Sequence, residues 1–192
     1  MGVYKLSTAG GLATPRTNYS SFLAGNPAVQ FTAYESIASA SGTGSSGVVT
    51  FSSIPATFSH LQIRIMGFQA TENDIFIKVN SDAGVRSHEL YGTGATAASK
   101  VEPGTGDGQY LGSFGFKATN PTVWVLDLLD YASTTKAKTL RGLGGFDANG
   151  SGTVELLSAL FTTTSAITSI TFTSGNSYST SSRFALYGIK GA

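Results

Sequence analysis

His60 and His88 are the only imidazoles in this chain of 192 residues, and they bound the acid–base chemistry it could do. A nucleophilic Ser or Thr needs a base placed beside its hydroxyl. His60 opens an alternating apolar run after Pro55-Ala56-Thr57-Phe58-Ser59, where a structural hydrogen bond is the expected role. His88 is followed by Glu89, and neighbours in a strand point to opposite faces, so the two groups cannot work together on one substrate. Asp127 and Asp130 form the closest acidic pair in the apolar second half and are the candidates for a glycosidase. Their odd spacing also puts them on opposite faces of a regular strand. Asp127 is expected to lie exposed or to pair with Lys136, Lys138 or Arg141.

Asp147, Asn149, Ser151 and Glu155 stand at the first, third, fifth and ninth positions of a calcium-loop pattern, with Gly152 sixth and Val154 eighth. The twelfth position, which should bring a bidentate carboxylate, is Ser158, and the flanks read as strands rather than helices. A hairpin turn is the better reading. The Gly-rich run 104–115 has neither the Lys-Ser/Thr ending nor the following helix of a phosphate loop. Asn18-Tyr19-Ser20 and Asn149-Gly150-Ser151 match the glycosylation triplet without a secretory signal to give it meaning. Trp124 and the Tyr and Phe residues sit at strand spacing, which favours core over a stacking platform. No catalytic residue, metal site or cofactor is expected.

Composition says which elements hold these residues. Hydrophobic residues make up 41% and charged residues 12%, with 24 Gly, 25 Ser and 24 Thr, so the polar surface is built mostly from hydroxyls. Such residues suit strands and turns. A net charge of +1 supplies no long-range field for nucleic acid or an anionic membrane, and neither is expected as a partner. The absence of Cys excludes disulfides and thiolate metal sites and agrees with assembly in a reducing cytosol. The first residues lack the basic and apolar regions of a signal peptide, and no window reaches a membrane span.

Residues 1–30 differ from the rest. Tyr4, Leu6, Leu12, Tyr19, Phe22 and Leu23 are isolated anchors among Gly and Pro punctuation, with no period of 2 or 3.6. Such a segment cannot form its own core, and the expectation is an extended N-terminal arm whose anchors dock onto a neighbouring subunit. Residues 31–192 then read as strand after strand, starting near Ala33. Leu61, Ile63 and Ile65 alternate, as do Ile75, Ile77 and Val79. Residues 81–121 are weakly patterned and are expected to be long loops with short strands near Tyr110 to Phe116. Segments around Val123 to Leu129, Thr139 to Leu143, Thr153 to Phe161, Ile167 to Thr173 and Arg183 to Ile189 follow. About eight or nine strands without an amphipathic helix predict an all-β, jelly-roll-like two-sheet β-sandwich.

The order of these segments resembles a known family. Phe51-Ser52-Ser53-Ile54-Pro55 precedes His60-Leu61-Gln62-Ile63-Arg64; Leu129-Asp130-Tyr131-Ala132 comes with Lys136, Lys138 and Thr139. Ser165-Ala166-Ile167-Thr168-Ser169-Ile170 and the terminal Phe184-Ala185-Leu186-Tyr187-Gly188-Ile189-Lys190 complete the set, together with Tyr4-Lys5-Leu6-Ser7 and Tyr19-Ser20-Ser21-Phe22. As a set they resemble tailed-phage virion structural proteins of the kind frequent in cyanophages. That resemblance implies a jelly-roll capsid cement or decoration protein on the virion surface, a homotrimer whose partner is the major capsid protein. A tail-fibre, baseplate or receptor-binding component is the alternative it leaves open.

Overall fold

Period-2 alternation produces twelve strands and no helix among the described residues of a computed structural model, which are 33–190 except 85 and 113. The strands are β1 (Tyr34–Ser41), β2 (Val48–Phe51), β3 (His60–Gly67), β4 (Ile75–Val79), β5 (Arg86–Gly92), β6 (Ala97–Pro103), β7 (Gln109–Tyr110), β8 (Thr122–Leu129), β9 (Lys138–Asp147), β10 (Gly152–Phe161), β11 (Ile170–Ser174) and β12 (Arg183–Ile189). They form two antiparallel sheets, a large one in the order β1-β12-β3-β8-β9-β10-β5-β6 and a small one in the order β2-β11-β4-β7. The chain is therefore an all-β two-sheet sandwich, as its composition and alternation predict. Its path changes sheet at nearly every step. The exceptions are the steps β5–β6, β8–β9 and β9–β10, all within the large sheet, which the hairpins β5–β6 and β9–β10 widen.

Alternate residues of each sheet fill the space between them. Ile63, Ile65, Trp124, Leu126, Leu140 and Leu157 come from the large sheet and meet Ile75, Ile77, Val79 and Phe172 from the small one, all buried. Each such side chain contributes about 1.5–3 kcal/mol on burial. Phe114 stacks on Trp124 at 5.7 Å between ring centroids, within 10° of parallel. The indole lies flat beneath β9, where the sequence supplies Gly142 and Gly144. A Cβ at Gly144 would come within 2.3 Å of the ring, so the tryptophan fits only because that strand lacks side chains there.

The connection from β8 to β9, residues 130–137, turns on Asp130, whose φ is 51°. Lys138 is fully buried at the start of β9, and its Nζ donates to the carbonyls of Ser133 (2.8 Å), Lys136 (2.5 Å) and Thr164 (3.2 Å). Tyr131, also fully buried, accepts from the Phe58 amide at 3.3 Å and donates to the Pro55 carbonyl. Two buried polar side chains thus hold three connections to the core edge.

Residues 81–121 are not the long loops that their weak pattern suggests. They contain the β5–β6 hairpin, paired in full from Arg86↔Pro103 to Gly92↔Ala97, and β7. The reason is an inverted pattern in β5. Ser87 and Glu89 face inward and Leu90 faces out, so hydrophobicity gives the wrong phase. β7 is the short strand expected near Tyr110, whereas the hairpin adds two strands to the eight or nine expected. The expected arm, 1–30, with Tyr4, Leu6, Leu12, Tyr19, Phe22 and Leu23, lies outside the described residues.

Candidate interaction surface

The outer face of the large sheet carries the molecule's most unusual chemistry. In the antiparallel register, β3, β8, β9, β10 and β5 align Met66, Val123, Gly145, Val154 and Gly92 in one row across the strands. The next row is Arg64, Val125, Leu143, Leu156 and Leu90. The apolar members of these rows are 39% (Val125) to 59% (Val154) exposed. Seven half-exposed aliphatic side chains leave on the order of 400 Å² of apolar surface in contact with water. A contiguous patch of that size is often functional.

The patch contains a depression. It has a volume of about 860 Å³, with Gly144 and Gly145 as floor and Val123, Val125, Leu143 and Val154 as walls. Among the described residues, Asp147 is the one charged member of its lining. The depression exists because Gly92 and Gly145 put no side chain into the first row while their neighbours project valines.

A third row borders the patch: Gln62, Asp127, Arg141, Ser158, His88 and Val101. Towards β12 and β1 the same face turns polar and aromatic. The Arg64 guanidinium lies 5.2 Å from the Tyr187 ring centroid and 5.9 Å from that of Tyr34. Its Nε donates to Gln62 Oε1, and Gln62 Nε2 donates to Asp127 Oδ1, both at 2.9 Å.

Beneath the patch, β5 and β10 bury Glu89 and Glu155. Lys100 of β6 answers them from the sheet edge, with its Nζ 2.5 Å from Glu102 and 3.8 Å from Glu89. The same ammonium sits 5.0 Å from the Tyr110 ring centroid of β7. Burial works to lower the Lys100 pKa, but the carboxylates of Glu102, Glu89 and Glu155 outweigh it and hold the group above its ordinary value.

The residues singled out for chemistry are spread over different places. His60 Nδ1 accepts the backbone amide of Asp130 at 3.0 Å, the structural bond expected of it. His88 faces out while Glu89 is buried. Asp127 lies opposite Arg141 and binds Gln62, whereas Asp130 takes Lys136 at 2.8 Å; that hydrogen bond and charge lower the Asp130 carboxyl pKa. The segment 147–152 is a hairpin turn. Asp147 Oδ1 accepts the Asn149 amide at 2.7 Å, Ala148 bonds to Ser151 at 2.8 Å, and φ is positive at Asn149 and Gly150. Glu155 faces the interior from β10, on the other side of the hairpin from Asp147. Among the described residues, no three His, Cys, Asp or Glu side chains gather where a metal ion could be held.

The exposed aliphatic rows were not predicted from the sequence, although a signal was there. Val123-Trp124-Val125-Leu126 and Val154 with Leu156-Leu157 are apolar at both parities, a pattern that belongs to strands covered on both faces. The chain matches no protein-family model, no curated protein and no solved structure.

Proposed function

We propose that this chain is a non-enzymatic structural subunit of a phage virion: a capsid cement or decoration protein, homotrimeric, that stabilises the shell by bridging major capsid proteins. The observation that carries the reading is the outer face of the large sheet, where Val123, Val125, Leu143, Val154, Leu156 and Leu90 are exposed side by side. A sheet face of this kind is built to be covered by protein. The virion setting comes from the resemblance of the segments from Phe51 to Lys190 to tailed-phage structural proteins.

The strand order agrees with that setting. With the two inserted hairpins set aside and the other eight strands renumbered along the chain, the sheets run 1-8-3-6 and 2-7-4-5. We read this as the winding of a jelly roll. A subunit that covers several shell proteins adds binding free energy to the closed lattice by mass action and multivalency.

The test is co-sedimentation of the purified full chain with capsids that lack it. Saturable binding is expected, with at least a tenfold loss for Leu156→Glu and for deletion of residues 1–30. Equal binding by the full chain and by both variants would overturn the proposal.

A tail-fibre or receptor-binding role is the second reading, and the Tyr34–Arg64–Tyr187 cluster favours it. Tyr34 is exposed and Tyr187 partly so, and aromatic rings beside hydrogen-bonding groups are suited to sugars. Binding of the purified protein to host cells, lost in Tyr187→Ala, would support this role against the first.

A further inference from the structure

We propose that the exposed apolar face of the large sheet pairs with the same face of a second copy, about a two-fold axis that lies across β9 at Gly144. The inference rests on reading this face as a protein interface and does not depend on the virion assignment.

The argument is the complementarity of the rows. Consider a two-fold axis lying in the plane of the contact and running along the rows, across the strands. It reverses strand direction and lays β8 on β8, β9 on β9, β10 on β10 and β5 on β5. Arg141, Leu143 and Asp147 face outward on β9, and with Gly145 at the same parity the four positions are placed symmetrically about Gly144. Across the axis Leu143 of one copy therefore meets Gly145 of the other, and Arg141 meets Asp147.

Neighbouring strands obey the same relation without further adjustment, because the register fixes them. Leu143, Val125, Leu156 and Leu90 form one row, and Gly145, Val123, Val154 and Gly92 form the other. Leu90 then falls over Gly92, Leu156 over Val154 and Val125 over Val123. The row with three leucines covers the row with two glycines, so the side chains of one copy enter the depression of the other. Aligned sheets pack about 10 Å apart by this kind of interdigitation.

Charge follows size. Arg141 and Asp147 stand at opposite ends of the patch on the same strand, so each copy offers the other both an acid and a base at the rim. Such self-complementarity is what an isologous contact requires. Four strands at about 4.8 Å and seven residues at about 3.4 Å give a footprint of roughly 19 by 24 Å. With the flanking strands β3 and β6 added, this is the scale of a small to standard interface. The edge strand β1 stays outside the pairing, so a three-fold contact through that edge can coexist with it.

The experiment is native mass spectrometry of the full chain across a concentration series, with Leu143→Glu, Arg141→Asp, Asp147→Arg and the double charge swap. Even numbers of chains are expected for the wild type, two or, with a three-fold contact, six. Leu143→Glu should halve the assembly, and since Leu143 is 51% exposed its monomer should stay folded. Each single charge reversal should weaken the pair at least tenfold, and the double swap should restore it. A monomeric wild type, or an assembly of odd number, overturns the pairing. So does an assembly unchanged by Leu143→Glu, which would leave the face to residues 1–32 or to another protein. A trimeric wild type would overturn the pairing and leave the proposed homotrimer standing, a monomeric one would count against both, and none of these results bears on whether the protein is found in virions.

Discussion

Lys138 shows how a single residue can be misjudged from sequence. Its place in Thr135-Lys136-Ala137-Lys138-Thr139 suggests a solvated cation available to Asp127, yet it is fully buried with three carbonyls around its Nζ. Burial lowers its pKa, with the Asp130 charge opposing the shift. The unfolded chain therefore holds the proton to higher pH than the folded chain does. Stability gains from this group as pH rises through the lowered folded value towards about 10.5, the ordinary value of the unfolded lysine. Lys138→Met removes the donor from three carbonyls and should cost about 2–4 kcal/mol in urea unfolding. Lys100 has the opposite sign. Its folded pKa is raised, so its contribution is fully present below the unfolded value and is lost as pH climbs through the folded one. Lys100→Met should cost about 1–2 kcal/mol at neutral pH, a figure reduced because the side chain is partly exposed, and that cost should shrink in strongly alkaline buffer. Denaturation midpoints of both variants across pH check the two signs.

At the scale of elements, most strands were legible because their two faces differ. In β4, Ile75, Ile77 and Val79 are buried while Phe76 and Lys78 are partly exposed, so the period is plain and the strand falls where it was expected. β5 was not legible, because Ser87 and Glu89 are inside while Leu90 is outside. A local pattern cannot show that Lys100, on the next strand, will answer an inward glutamate. The candidate surface was missed for a related reason: in β8 and β10 both parities are apolar, so the phase could not say which side water meets. These two faces can be separated by experiment. Leu157→Ala, in the core, should cost about 2–4 kcal/mol of stability. Leu156→Thr, one residue away and 52% exposed, should stay within about 0.5 kcal/mol and weaken assembly instead. Urea melts beside sedimentation of the same two variants would show the division, and an equal loss of stability in both would refute it.

For the whole molecule, sequence alone gave the class of fold but not its width. Composition and alternation lead to a two-sheet sandwich, whereas the eight-stranded sheet depends on the hairpins β5–β6 and β9–β10, the first of them invisible to periodicity. That widening matters for function. β9, β10 and β5 of the two hairpins lie beside β8, and six of the seven exposed apolar side chains of the rows stand on those four strands. A sandwich with one oily outer face is a subunit in search of a contact, and the resemblance to phage structural proteins supplies the setting. The most direct test of the proposed virion role is quantitative mass spectrometry of phage particles purified from the source of this sequence, with the protein counted against the major capsid protein. The account predicts a ratio near one copy per capsid subunit. A ratio of a few per cent would contradict the cement role and move the protein to the tail or a vertex, and its absence from the particle would contradict the virion assignment altogether.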